Sequence, residues 1–343
     1  MTPAVTVLMS VHNGLPFLAE AVSSVLAQTF KNFEFLILDD ASTDGTADYL
    51  RTFSDPRVRV ITLTENIGLT AALNRGLRES RGELIARQDA DDLSHPRRLE
   101  LQFGFLKANP ACAVVGSQAW LVDARGRSLG KKNFPLGYRG ICFAHLFDNA
   151  LAHSAVMFRR STVDSYDERF TASQDYELWS RLSERHALAN LRQRLVTLRV
   201  LDTSITSTHK RPELIRSVQA SHFQRLFARP AKDAELDLIA LFRTRVAPER
   251  LREFRTLIVE LTASTEAAWP GIGRTPDFRR TLALIHERTG YNLLTLSRGA
   301  GLGEILRALR AWPPMLFAMP WWRIVALAVL GDSARRLYER AAK

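Results

Sequence analysis

The sequence predicts an α/β fold, an open and mostly parallel mixed sheet with helices on both faces, followed by an α-helical C-terminal region. Three observations carry that prediction. Short apolar, β-branched runs alternate with segments of helical period through the first ninety residues, the pattern of strand–helix–strand crossovers. Acidic clusters stand directly after two of those runs, where an open α/β sheet binds its ligands. From about residue 211 onward strand-like runs vanish, and apolar residues recur at spacings of three and four.

The elements follow in order. Val5 to Met9 is an apolar run that reaches the turn pair Asn13-Gly14, so it reads as a buried strand. Phe17, Leu18, Ala21, Val22, Val25 and Leu26 then share one helical face. "FEFLILDD" (33–40) and "RVRVITL" (57–63) are the next strands. Between them "DGTADYLRTF" fits a helix that Ser42, Thr43 or Asp44 could cap. "TAALNRGLRES" (70–80) is a helix and "GELIARQ" (82–88) a fourth strand. Beyond residue 92 the rhythm loosens: a helix at 96–107, a strand at 112–118, a turn-rich stretch at 123–140, a strand at 154–159, an amphipathic helix at 173–185 and a last strand at 195–201. Helical periodicity then covers Leu214 to Phe227, 235–246, 249–263 and 277–289. The expected division is an α/β domain over 1–210 and a helical region over 211–343, with the boundary at His209-Lys210-Arg211-Pro212.

Composition bounds the function. A chain of 343 residues with 46% hydrophobic and 24% charged residues is an ordinary globular protein of about two domains. Cys112 and Cys142 are its only cysteines, too few for a disulfide framework, so the expected compartment is the reducing cytoplasm. The N-terminus shows no basic n-region or signal-length apolar run. The net charge of +11 is uneven: residues 1–200 hold 24 basic and 22 acidic residues, residues 201–343 hold 23 and 14. With no helix-turn-helix, zinc-finger or aromatic RNA-binding motif, no nucleic-acid partner is expected. The segment 311–331 is the most apolar, but Pro313, Pro314, Pro320 and Arg323 interrupt it, which argues against a spanning helix. Trp312, Trp321 and Trp322 beside Arg307, Arg310, Arg335, Arg336 and Arg340 fit peripheral contact with an anionic membrane, here the cytoplasmic face of the inner membrane. Packing of those tryptophans on the catalytic domain or on a second subunit is the alternative.

The acidic clusters carry the chemistry. Asp39-Asp40 follows the second strand, where a turn or cap is the plainer reading. Asp89-Ala90-Asp91-Asp92 follows the fourth. Three carboxylates within four residues repel one another, and a cation or an array of donors must balance them. Oxygen-only ligands suit Mg²⁺ or Mn²⁺ shared with substrate phosphates. The glycine-rich phosphate loops G-x-x-x-x-G-K-[ST] and G-x-G-x-x-G are absent, as is the G-x-S-x-G elbow. Asp175, in the first turn of the 173–185 helix, either satisfies helix N–H groups or acts as a general base.

The stretches "VLMSVHNGLPFLAEAVSSVLAQTFKNFEFLILDDASTDGT" (7–46), "ENIGLTAALNRGLRESRGELIARQDADDLSHPRRLE" (65–100), "AHSAVMFRR" (152–160) and "YDERFTASQDYELWSRL" (166–182) together resemble the inverting glycosyltransferases of family 2, which have the GT-A fold. The resemblance covers about residues 5–200. It implies a hexosyltransferase-type enzyme of polysaccharide, lipopolysaccharide or other glycan biosynthesis. Such an enzyme moves a sugar from a nucleotide-sugar donor to a glycan or lipid-linked hydroxyl acceptor, with a divalent cation (Mn²⁺ or Mg²⁺). By the same resemblance Ser10, His12 and Asp40 line the base pocket. Asp89 faces the ribose or a metal-bound water, and Asp91 binds the metal in the D-x-D motif. Asp175 is the catalytic base, and His153 contacts donor phosphates or acceptor. Three positions depart from the family pattern: Leu73 stands where an Arg often precedes Asn74, Gln174 precedes Asp175 in place of Glu, and Leu201 stands where a His is common, with His209 nearby. A non-catalytic nucleotide-sugar or glycan-binding module that keeps this fold is the competing reading.

Overall fold

The computed structural model describes residues 2–201, 212–242, 248–294 and 298–311. His209, Trp312, Trp321 and Trp322, with Arg323, Arg335, Arg336 and Arg340, lie outside the described residues. The chain forms two compact units: Met1–Asn133 with Leu151–Leu214, and Phe134–Ala150 with Ile215–Lys343.

The first unit is built on one mixed sheet. Its strands are β1 (Val5–Val11), β2 (Phe33–Asp39), β3 (Val58–Thr62), β4 (Leu84–Gln88), β5 (Leu93–Ser94), β6 (Cys112–Val122), β7 (Ser128–Lys132), β8 (Met157–Arg159) and β9 (Ala187–Arg199). The order across the sheet is β3-β2-β1-β4-β8-β6-β9-β5, with β7 on β6. β3, β2, β1 and β4 are parallel neighbours, as crossovers through α1 (Leu18–Leu26), α2 (Thr46–Arg51) and α3 (Leu69–Glu79) require. β8 then runs antiparallel to both β4 and β6, and β9 runs parallel to β6. β1, β2 and β4 are buried throughout, which explains why they read as continuous apolar runs instead of alternating ones. Val7, Phe35, Ile37 and Ala86 form the core with Leu18, Val22 and Val25 of α1. Close packing fixes the entry to β4, where a Cβ on Gly82 would lie 2.4 Å from the Thr6 nitrogen.

Several elements differ from the sequence expectation. The stretch 123–140 holds β7 and the start of a helix, α5 (Tyr138–Ala144). The strand expected at 154–159 begins only at Met157, because His153–Ala155 forms a 3₁₀ turn. The last strand begins at Ala187, with its register slipping opposite Ser117 and Gln118. That irregularity admits Arg192 and Gln193, the polar residues that hide the strand in the sequence. α4 (Arg98–Ala108) and α6 (Gln174–Leu182) complete this unit.

The second unit is helical: α5, then α7 (Pro212–Phe227), α8 (Asp233–Leu241), α9 (Leu251–Ala268), α10 (Pro276–Leu294) and α11 (Arg298–Ala311). Segment 134–150, which the sequence division assigns to the α/β domain, supplies Phe143, Leu146 and Phe147 to this unit's core beside Phe223, Phe254 and Phe278. The Phe143 and Phe278 rings meet edge-on at 5.0 Å. No helix among the described residues is long and apolar enough to cross a membrane.

Candidate active site

The carboxyl ends of β1 and β2 meet because the strands run in register up to Val11 and Asp39. His12, exposed just beyond β1, places Nδ1 2.8 Å from the Asp40 carbonyl oxygen, and Ser10 lies buried on β1 opposite Leu38. The Asp40 carboxylate, buried, accepts from the amides of Ile67 (2.8 Å) and Gly68 (3.0 Å). Gly68 sits at φ 82°, immediately before α3, so Asp40 satisfies donors at a helix start. The structure thus brings Ser10, His12 and Asp40 to one edge and gives the Asp40 carboxylate a capping partner already. Asp39 is fully buried; one oxygen accepts from the Ser42 amide at 3.1 Å.

The turn after β4 separates the three carboxylates into different environments. Asp89 is one-third exposed and pairs through Oδ1 with Nη2 of Arg87 at 2.6 Å, while Arg87 itself is fully buried. Asp91 is partly buried, and its carboxyl is pushed up to about 6 by burial first and by the neighbouring Asp89 charge second. Asp92 is buried beside them. Its oxygens accept from the Ser154 hydroxyl and, at 2.8 Å, from the Arg199 amide; burial and the other two carboxylates hold it well above the usual range. Arg199, almost wholly buried, reaches the Asp91 carbonyl at 3.1 Å and Glu20 at 2.8 Å, and lies over the Phe17 ring at 4.4 Å.

A polar core lies beneath this turn. Gln88 donates to the carbonyls of Asp89 (3.0 Å) and Asp92 (2.8 Å). Arg98 of α4, fully buried, donates to Gln88 Oε1, Ser94 Oγ and the carbonyls of Arg87 and Val156. Burial lowers its guanidinium to about 9. Arg87, Arg98 and Arg199 are the residues that motif reading missed. For Arg87 and Arg199 the available signal was arginine inside apolar, strand-like runs, a rare placement unless the charge has partners; Arg98, at the start of a predicted helix, carried no such signal.

On the other side, α6 carries Asp175 in its first turn, partly buried. The loop before it is tied to α3: Asn74 donates to the Tyr166 carbonyl at 3.0 Å and accepts from its amide at 2.8 Å, and Thr70 donates to the Phe170 carbonyl at 2.9 Å. Asn74 therefore shapes this loop, whatever precedes it. The Tyr166 hydroxyl lies 3.0 Å from His153 Nε2, and Trp179 of α6 is 6.3 Å from the same imidazole. Burial and the nearby Arg87 charge lower His153 to about 3, so it is neutral at physiological pH. Tyr166 is buried and its phenol is raised, by burial first, with the charges of Asp175 and Asp89 both contributing.

Among the described residues no three His, Cys, Asp or Glu side chains converge as a complete metal site. Asp89 and Asp91 fit a hard divalent cation that keeps water and takes its remaining ligands from phosphates.

The family model for glycosyl transferase family 2 matches residues 6–166. The putative glycosyltransferase EpsE of Bacillus subtilis is 37% identical over 191 residues, 53% of this chain and 67% of that one. The O-antigen biosynthesis glycosyltransferase WbnJ of Escherichia coli is 31% identical over 185 residues, 52% of this chain and 71% of that one. The fold resembles the crystal structure of S. aureus TarS residues 1–349 in complex with UDP-GlcNAc, with a TM-score of 0.54 at 15% identity and 92% of each chain covered. The chain belongs to glycosyltransferase family 2, and it is a glycosyltransferase with a GT-A type fold.

Proposed function

We propose that this enzyme transfers a sugar, with inversion, from a nucleoside-diphosphate donor to a hydroxyl of a glycan or lipid-linked acceptor in cell-surface glycan assembly. The observation that supports the reading best is the turn after β4, where Asp89 and Asp91 stand at the carboxyl end of a strand in the parallel half of the sheet, the edge at which an open α/β sheet binds its ligands.

In this reading Ser10, His12 and Asp40 receive the nucleobase, with Asp40 accepting from it while keeping its two amide donors. Asp91, with Asp89, would hold a divalent cation, Mn²⁺ or Mg²⁺, which supplies Lewis-acid stabilisation of the departing diphosphate. Asp175 takes the proton of the acceptor hydroxyl as its oxygen bonds to the anomeric carbon and the carbon–diphosphate bond breaks on the opposite face. One displacement inverts that carbon, and no enzyme nucleophile is required. The neutral His153 donates or accepts at the donor phosphates or acceptor. Residues 1–210 hold the chemistry, and the basic residues 201–343 keep the enzyme at an anionic, cytoplasmic membrane face.

The test is a screen of UDP-, GDP- and dTDP-sugars with Mn²⁺ or Mg²⁺, read as nucleotide release and as product anomer. Release with an inverted product is expected. A retained anomeric configuration overturns the single displacement, and no release from any donor, with acceptor extracts added, leaves a sugar-nucleotide-binding module instead.

A further inference from the structure

Outside this site, one face of the sheet has a composition the transfer chemistry does not use. Trp120, on β6, is 42% exposed, the only aromatic residue among the large exposed apolar side chains of the described residues. Two cations flank it: Lys131 Nζ and Arg194 Cζ each lie 5.3 Å from the ring centroid. Lys131 is the cross-strand partner of Trp120 on β7, and Arg194 comes from β9 on the other side. Where β9 slips register, it adds the exposed Arg192. The segments 117–122, 128–132 and 187–199 contain no acidic residue. With no carboxylate on these strands to offset them, the cations give this face a positive potential that attracts an anion.

The strand register ties this face to the carboxylate turn. Trp120 pairs with Thr197, and Thr197 pairs with Leu93, the residue after Asp92. Trp120 is therefore two strand spacings, about 10 Å, from the end of that turn, and paired residues share a face of the sheet. Arg199, two residues beyond Thr197 on that face, reaches the Asp91 carbonyl. That separation suits sugar units adjoining the reacting one.

We infer that the surface around Trp120, Lys131, Arg192 and Arg194 binds the acceptor, and that the acceptor is an anionic glycan whose acidic groups meet the cations while a sugar ring lies against the indole. The inference rests on the transferase reading above. A membrane fits this surface less well: the β6–β7 turn reads Asp123-Ala124-Arg125-Gly126-Arg127 and offers no large apolar side chain to insert. A single aromatic residue is also too few for the successive base stacking of a nucleic-acid strand.

Calorimetric titration of the full chain with hexagalacturonate tests it, with maltohexaose, inorganic polyphosphate and phosphatidylglycerol vesicles as comparisons. Binding of hexagalacturonate but not maltohexaose is expected. Trp120→Ala and the double variant Lys131→Ala/Arg192→Ala should each weaken it on the order of tenfold, the size of one desolvated cation–π or ion contact. Unchanged melting temperatures show that the variants are folded. The inference fails if hexagalacturonate does not bind, or binds both variants as it binds the parent. It fails equally if polyphosphate competes fully with no effect of Trp120→Ala, which is charge alone, or if the variants lose vesicles and keep the sugar. These outcomes stand apart from the donor screen: hexagalacturonate binding without nucleotide release fails the transferase reading alone, and nucleotide release without hexagalacturonate binding fails this inference alone.

Discussion

Arg87 Nη2 lies 2.6 Å from Asp89 Oδ1, and the arginine of this pair has no solvent exposure. The fold therefore places a cation of its own behind the first carboxylate of the D-x-D turn. Replacing Arg87 by Met should lower stability by about 2–3 kcal/mol, below the range for a fully buried pair because Asp89 can still reach water. Arg87→Lys should not restore it, since one ammonium cannot reproduce the fork that also reaches the Leu8 carbonyl. Urea midpoints of the three proteins decide this; equal midpoints for Lys and Arg would show that charge alone matters.

Asp91 stands at the opposite extreme. Its carboxyl is raised to about 6, so the metal-free folded protein holds that proton more tightly than the unfolded chain does. The sign follows from linkage: stability due to Asp91 is present at low pH and is lost as pH rises from about 4 through 6. Asp91→Asn should stabilise the metal-free enzyme at pH 8 by on the order of 1–3 kcal/mol and have little effect near pH 4, while nucleotide release falls at least a hundredfold. Thermal melts in chelator at the two pH values measure it, and a variant less stable at pH 8 contradicts it.

Asp92 is a strut, its carboxylate held by the Ser154 hydroxyl and the Arg199 amide. Asp92→Ala leaves the Ser154 hydroxyl and the Arg199 amide without their acceptor, at a cost of about 2–4 kcal/mol. Ser154→Ala removes one bond only and should cost about 1–2 kcal/mol. Adding the substitutions together should cost less than the sum, a coupling that a double-mutant cycle reads directly.

Asp175→Asn keeps the shape of the α6 first turn and removes the proposed base. Transfer should fall by about 10²–10⁴-fold while the affinity for UDP or GDP, read by calorimetry, stays within twofold. An equal loss of nucleotide affinity would assign Asp175 to the donor pocket.

The parallel half of the sheet was legible because β1, β2 and β4 are buried on both faces, and such strands announce themselves as unbroken apolar runs. β5 and β7 were not: one is two residues long, and the other, Ser-Leu-Gly-Lys-Lys, is stabilised by its partner β6 and not by its own composition. The carboxylates were legible as a cluster, but sequence spacing cannot tell that Asp92 faces Ser154 while Asp91 does not. Nor could it show that Asn74 shapes the Tyr166 loop, because the two residues are 92 positions apart. Arg87 and Arg199 interrupt apolar runs, and only their partners, drawn from several separate segments, explain why they are tolerated.

Segment 134–150 belongs to the core of the helical unit, and this sets an order on synthesis. Phe143 and Phe147 leave the ribosome before the helix carrying Phe223, and at about 5–20 residues per second their shelter arrives several seconds later. A nascent chain therefore presents an apolar helix inside an otherwise completed α/β unit, a natural target for chaperones. A protein cut at residue 210 would never lose that target. The helical unit is thus a folding requirement of the whole chain.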